Sequence, residues 1–308
     1  TLAITATANA VAVAEHVMFM LLNISKRKNM YDNAVKDGKF NDRNKLPKTV
    51  ELWGKNILIA GFGRIGQALI KRCLGFEMKV FVYDPFVSKD VIENLGGIKV
   101  ESMEDACKDM DAISLHIPLN DKTKNIINYD LLKTMKKNCI IINAARGGIV
   151  NEIDLDKALK EDLIFGAGLD VFEIEPPESN NPLLKNDKVF LSPHTAAFTE
   201  ECMTRMGKET IQNIIDFFDE KLEKSKKKIL KRQYFTTKKW KNINPKSYFY
   251  EKVMYFETTK DGTIFENPTY GKHTFNKMYQ NTYRVEMCSY CYYNLDMFNK
   301  TGLWLSDE

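Results

Sequence analysis

Nowhere in this 308-residue chain does an apolar run reach the roughly 20 residues that a bilayer-spanning helix needs. The most apolar stretch, AVAVAEHVMFMLLNI from position 10, carries Glu15 and His16 within it. It reads as a buried helix from an Asn9 cap to about Lys28, and a membrane is not expected as a partner. An excess of one charge is missing as well: 45 Lys and Arg face 41 Asp and Glu, for a net +4. Much of that excess sits in KLEKSKKKILKRQYFTTKKWKN, residues 221–242, which reads as a solvated basic linker rather than a nucleic-acid surface. The six cysteines (73, 107, 139, 202, 288 and 291) are scattered through apolar or helical contexts, and no leader peptide is expected. That excludes a disulfide framework and makes reduced thiols and a cytoplasmic location the expectation. Cys288 and Cys291 in CSYC have metal-ligand spacing, but a structural zinc site takes four ligands and no second pair follows. No metal is expected.

The C-terminal quarter lacks alanine altogether. Its last 78 residues hold three of the chain's 16 glycines and 18 of its 34 aromatic residues. Three readings stay open for it: a small aromatic-rich domain, a disordered tail, or translated sequence foreign to the natural protein, the last being favoured. The chain also opens on TLAITATANA without a methionine, which reads as a strand end with something upstream missing. The expected organisation is a domain over 1–198, a helix over 199–224, and a basic linker with an irregular tail over 225–308.

What the chain has in quantity is alternation. Apolar runs NILIA, KVFVYD, DAISLH, CIIINAA, IFGAGLDVF and KVFLSPH are separated by segments with helical spacing, such as GRIGQALIKRCLGF, SMEDACKDM and YDLLKTMKKN. Continuously apolar strands crossed over by helices predict an α/β fold, a doubly wound parallel sheet covered on both faces.

Gly61, Gly63 and Gly66 form G-x-G-x-x-G between the first such strand and its helix, the context in which the motif carries meaning. The first glycine permits a tight turn and the second lets the backbone approach a pyrophosphate. The third lets helix pack on strand, and the helix N-terminus offers free N–H groups. Asp84 ends the next strand, KVFVYD, near the spacing at which an acid accepts hydrogen bonds from an adenosine ribose; its charge would repel a 2′-phosphate. NAD is therefore expected in the first half of the sheet.

Ligands of such sheets sit at the carboxyl ends of the strands, so the polar residues there are the candidates for chemistry. Arg146 follows CIIINAA and precedes Gly147-Gly148; a planar guanidinium there could clamp a carboxylate and draw charge from a neighbouring carbonyl oxygen. An ion pair with a nearby acid is the structural alternative. His194 ends KVFLSPH, with Pro193 holding Ser192 extended, and an imidazole suits proton transfer to or from an oxygen near neutral pH. His16 within the apolar helix, His116 at a strand end before Ile117-Pro118, and His273 in the tail compare poorly as acid/base groups.

Six motifs, ANAVAVAEH, GKNILIAGFGRIG, HIPLNDKT, INAARGGIVNE, GAGLDVFEIEPP and LSPHTA, resemble in order and spacing those of the D-isomer-specific 2-hydroxyacid dehydrogenases. The group includes D-3-phosphoglycerate and hydroxypyruvate/glycerate dehydrogenases, and the resemblance covers about residues 8–218. It implies a Rossmann-type NAD-binding domain, with most of a flavodoxin-like substrate domain missing from this chain, and a homodimer built through the NAD-binding domain. It also implies hydride transfer between NAD(H) and a 2-hydroxy acid/2-keto acid pair. Arg146 would hold the substrate carboxylate and polarise the keto oxygen, and His194 would be the acid/base. Glu175, just before proline, would hydrogen-bond the imidazole and favour its protonated form. Asp170 would contact the nicotinamide carboxamide. Arg64 and Ile65 would meet the pyrophosphate through their N–H groups, while Ala144, Ala145 and Arg146, with His194 to Ala197, would line the nicotinamide. Glu173 is given no role.

Two other outcomes stay open. One is a non-enzymatic NAD-sensing protein, since corepressors that resemble the family keep much of the same constellation. The other is an inactive cofactor-binding fragment, because water exclusion and substrate orientation need both walls of a cleft.

Overall fold

The computed structural model describes residues 2–5, 7–219, 221, 227–228, 253–258, 264–266 and 283–286. In chain order its elements are β1 (Leu2–Ala3), α1 (Ala10–Ser25), α2 (Lys28–Lys36), β2 (Asn56–Ala60), α3 (Arg64–Gly75), β3 (Lys79–Tyr83) and α4 (Lys89–Asn94). They continue with β4 (Ile98–Lys99), α5 (Met103–Cys107), β5 (Ala112–Leu115), α6 (Tyr129–Thr134), β6 (Ile140–Asn143) and α7 (Glu152–Lys160). The rest are β7 (Gly166–Leu169), β8 (Val189–Leu191), α8 (Glu200–Phe218), β9 (Lys227–Lys228), β10 (Val253–Thr258), β11 (Ile264–Glu266) and β12 (Tyr283–Glu286).

Seven strands form one sheet in the order β4-β3-β2-β5-β6-β7-β8, and every pairing in it is parallel. All six expected apolar runs contain a strand of this sheet; β4, two residues long, was too short to carry a sequence signal. The central strands feed both layers. Ile57 and Ile59 of β2 pack with Val13, Val17 and Leu21 of α1 and Leu69 and Cys73 of α3. Leu58 and Ala60 point the other way, toward Met103 and Cys107 of α5, Leu132 of α6 and Leu155 of α7. Burying one such side chain contributes roughly 1.5–3 kcal/mol, and the period of two along the strand explains why uninterrupted apolar residues suit it.

The strand order reverses between β2 and β5. There the loops leave the sheet in opposite directions and open a crevice at its carboxyl edge. Five of the candidate motifs are placed along that edge by the strands they follow.

The N-terminal helix departs from expectation in two respects. Asn9 occupies the cap position with helical dihedrals, and its side chain makes no capping bond. The helix also stops at Ser25, short of Lys28, because Arg27 turns left-handed (φ 50°) and starts α2 afresh. Arg27 is held in that turn by stacking over the Phe165 ring at 4.4 Å and by donating to the Lys48 carbonyl at 3.2 Å.

The chain divides into two compact units, Asn9–Cys202, and Thr1–Ala8 with Met203–Glu308. The expected organisation put a domain over 1–198; the first unit runs over 9–202, and residues 1–8 go with the second. In that second unit β1 pairs antiparallel with β9, and β10 pairs antiparallel with both β11 and β12. Within 225–308, the span of the expected basic linker and irregular tail, the described residues form the four short paired strands β9 to β12. The rest of that region, including Cys288 and Cys291 and most of the basic run over 221–242, lies outside the described residues. Among the described residues no helix is long and apolar enough to cross a membrane.

Candidate active site

The turn after β2 is built as a cradle. Gly61 adopts φ +98°, and a Cβ there would lie 2.6 Å from the His116 carbonyl oxygen, so the segment after β5 crowds the turn. A Cβ at Gly66 would lie 2.5 Å from the Gly61 carbonyl oxygen, which is how close α3 rides on the turn. Gly63 differs, because nothing stands within 4 Å of where its Cβ would be. It is the N-cap of α3 and offers no side chain to the helix end, so the N–H groups of Arg64 and Ile65 face open space without intrahelical acceptors. An open cradle at a helix N-terminus fits a pyrophosphate.

Asp84 at the end of β3 locks this turn. Its Oδ2 accepts the Phe62 N–H at 2.8 Å and its Oδ1 accepts the Phe86 N–H at 2.8 Å. A carboxylate keeps further lone pairs after two such bonds, and those remain for ribose hydroxyls. The acid thus shapes the turn and can also meet the ligand.

Arg146 is exposed on the turn that leaves β6, and one guanidinium N–H donates to the Ala145 carbonyl at 2.6 Å. The buried side chain of Asn143 holds the turn from inside: its Nδ2 donates to the Arg146 carbonyl at 2.9 Å and its Oδ1 accepts the Ala145 N–H at 3.1 Å. Sequence reasoning passed over Asn143, although a polar residue ending an apolar strand is the available signal. Next along, Gly147 lets the chain touch the segment after β7; a Cβ there would be 1.7 Å from the Phe172 carbonyl oxygen.

That segment carries the acid. Glu175 Oε1 accepts the Phe172 N–H at 3.0 Å, and Oε2 lies 2.8 Å from His194 Nδ1. His194 sits in the left-handed region at φ 54°, with its ring 46% exposed. With Nδ1 turned to the carboxylate, Nε2 has no partner among the described residues and is free to face a substrate oxygen. Glu152 of α7 anchors the same segment, accepting the Glu173 N–H at 2.6 Å and the Asn181 amide at 2.6 Å. Glu152 was also missed; its only trace in the sequence is an acid in the first turn of a helix. Glu173 itself is solvated, with Lys124 3.9 Å away.

Asp170, 1% exposed, faces inward. Its Oδ1 accepts the Ser192 hydroxyl at 2.6 Å and the Thr195 N–H at 2.8 Å, and its Oδ2 accepts the Ala196 N–H at 2.9 Å. The residue expected to meet the carboxamide thus also holds the loop on which His194 and Ala197 ride.

Two other histidines, His116 and His16, lie among the described residues. Burial pushes His116 down to about 4, so it stays neutral; its Nε2 pairs with the Ser114 hydroxyl at 2.8 Å. His16 is also lowered by burial, opposed by the charge of Asp170. Burial raises the Cys73 and Cys107 thiols to about 12 and raises Cys139 too, which makes them inert as nucleophiles.

Residues 18–196 match the sequence family described as D-isomer specific 2-hydroxyacid dehydrogenase, NAD binding domain. The chain belongs to that family. D-3-phosphoglycerate dehydrogenase of Methanocaldococcus jannaschii is 42% identical over 200 residues, which is 65% of this chain and 38% of that enzyme. Hydroxypyruvate reductase of Thermotoga maritima is 37% identical over 209 residues, covering 67% of this chain and 66% of its own length. The D-lactate dehydrogenase of Aquifex aeolicus, solved with NAD and lactic acid, superposes with a TM-score of 0.63 at 30% identity, covering 70% of this chain and 68% of that one. This member of the D-2-hydroxyacid dehydrogenase family spans about two fifths of the length of the phosphoglycerate dehydrogenases of Methanocaldococcus jannaschii and Archaeoglobus fulgidus that it matches. Its cofactor is NAD, and the Gly63 cradle with the Asp84 lone pairs fits that molecule.

Proposed function

We propose that the protein is an NAD-dependent oxidoreductase acting on a D-2-hydroxy acid and its 2-keto counterpart, of the size of glycerate, 3-phosphoglycerate or hydroxypyruvate. The observation that carries the reading is the 2.8 Å contact between His194 Nδ1 and Glu175 Oε2 at the strand ends that also present Arg146. Glu175 holds the ring so that Nε2 faces the reacting oxygen. His194 gives that oxygen a proton in reduction and takes it back in oxidation. Arg146 has guanidinium N–H groups left over to clamp the substrate carboxylate and polarise the adjacent keto oxygen. Bound NAD supplies the hydride chemistry.

The partner copy belongs to the same proposal. Outward-facing Val11 and Phe19 of α1 are 44% and 49% exposed, and Phe76 beyond α3 is 41% exposed. Phe19 and Phe76, with Met18 and Leu22, line an apolar groove that suits a second copy of the chain, in a cytoplasmic homodimer. Sedimentation giving monomer only would remove the dimer from the proposal.

The test of activity is NADH oxidation across a panel of small 2-keto acids, with His194→Asn alongside. Turnover in the parent that collapses in the variant while NADH binding is retained supports the reading. Tight NADH binding without turnover on any keto acid refutes it and favours an NAD-sensing binding protein.

A further inference from the structure

Helix α1 reaches the candidate site through one side chain. His16 Nε2 lies 2.9 Å from the Ser192 hydroxyl, across 176 residues of sequence. Ser192 spends its single proton on Asp170 Oδ1 at 2.6 Å, so toward His16 the hydroxyl oxygen is the acceptor and Nε2–H the donor. The direct approach from His16 Nε2 to Asp170 Oδ1 is 3.6 Å, longer than a hydrogen bond, and Ser192 bridges it.

From Asp170 the order passes to the catalytic loop. The two oxygens of this carboxylate take the Ser192 hydroxyl and the N–H groups of Thr195 and Ala196, which flank His194 on its C-terminal side. On the other side the His194 N–H donates to the Ser192 carbonyl at 3.0 Å. His194 is therefore held in its left-handed conformation by bonds converging on Ser192 and Asp170, and those two are oriented in turn by His16. A left-handed non-glycine residue persists only where its surroundings over-determine it. A second contact keeps α1 in register with β8: Phe19 stacks edge-on against Phe190 at 5.2 Å, and His16 packs on Phe19 at 5.8 Å.

We infer that His16 is a positioning residue for His194, acting through the Ser192 hydroxyl and the Asp170 carboxylate to hold the imidazole against Glu175. It touches neither cofactor nor substrate. The inference rests on the proposed role of His194, yet the geometry it predicts can be read without turnover.

The experiment uses the whole chain labelled with nitrogen-15 and follows the imidazole nitrogens by long-range proton–nitrogen correlation, with His194→Gln assigning the signal. In the parent, His194 is expected as one sharp signal with Nδ1 carrying the proton. His16→Leu, which removes the donor, should broaden or split that signal and shift it toward a mixture of the two tautomers, with the overall fold intact by circular dichroism. His16→Gln places an amide N–H near the position of Nε2 and should restore most of the parental signal. Ser192→Ala, a smaller change, should reproduce the effect of His16→Leu and decides the matter should His16→Leu fail to fold. A His194 signal unchanged in a folded His16→Leu or Ser192→Ala variant would overturn the inference. NADH affinity, measured alongside, should fall by no more than about 10-fold, the loss of roughly one hydrogen bond. A parental chain that shows the predicted His194 signal but no keto-acid turnover would count against the activity and leave His16 in place.

Discussion

Replacing Gly63 and Gly66 by alanine, one at a time, separates what the glycine turn does for the fold from what it does for the cofactor. At Gly66 the new methyl would lie 2.5 Å from the Gly61 carbonyl oxygen and 3.2 Å from Ile59 Cγ2. The oxygen belongs to the backbone and cannot swing aside, so the strain falls on the β2–α3 turn. Overpacking of this kind costs roughly 1–3 kcal/mol. In a domain of this size that lowers the unfolding midpoint by about 2–4 °C per kcal/mol. At Gly63 the dihedrals are φ −71° and ψ −162°, open to any residue, and the methyl meets nothing within 4 Å. The fold should lose less than about 1 kcal/mol there. The same methyl projects into the space where a pyrophosphate would approach the α3 amides. A clash of about 1–3 kcal/mol there weakens NADH binding by roughly 5- to 150-fold. Thermal unfolding by circular dichroism and titration of NADH fluorescence read the two effects. Gly63→Ala binding NADH as tightly as the parent would refute the assignment of the cradle, and Gly66→Ala melting with the parent would refute the packing argument.

Asn143→Ala should cost about 1–3 kcal/mol by leaving the Ala145 N–H and Arg146 carbonyl without their buried partner, and urea unfolding measures it. Glu152→Ala releases the Glu173 N–H and the Asn181 amide, and limited proteolysis should cut the segment between them faster than in the parent; equal rates would show that Glu152 is not its anchor. The chain should lose stability in mild acid through His116, whose value falls from 6.5 to about 4 on folding. Between those values the unfolded chain binds a proton that the folded one refuses. The stability fully present above about pH 6.5 is therefore lost as pH falls, up to roughly 3 kcal/mol. Urea midpoints at pH 7 and pH 5 should differ less in His116→Asn than in the parent, and an equal difference would clear His116 of the effect.

The amino-acid sequence by itself determined the fold class and named the residues of a candidate site. Six apolar runs placed six strands, because a strand buried on both faces leaves an uninterrupted apolar signature. The spacing of Gly61, Gly63 and Gly66 carried meaning because three local requirements, a turn, an approach and a packing contact, fall within six residues. Arg146 and His194 stood out from their places after strands, where a parallel sheet gathers its chemistry, while Glu175 was singled out only through the family resemblance. The acids of LDVFEIEPP could be told apart only in part: Glu173 is solvated and Glu175 meets His194. That Asp170 organises Ser192, Thr195 and Ala196 could not be read from the run that contains it.

Only the tertiary structure decided which side chains hold the candidate catalytic groups in place. Asn143 within its own turn, Glu152 across 21 residues to Glu173, and His16 across 176 to Ser192 leave no periodic trace in the chain. Periodicity reports which face of an element is buried, a property of neighbours a few residues apart. A hydrogen bond between distant segments depends on where a folded sheet sets two strand ends and a helix side by side, and no local pattern encodes that distance.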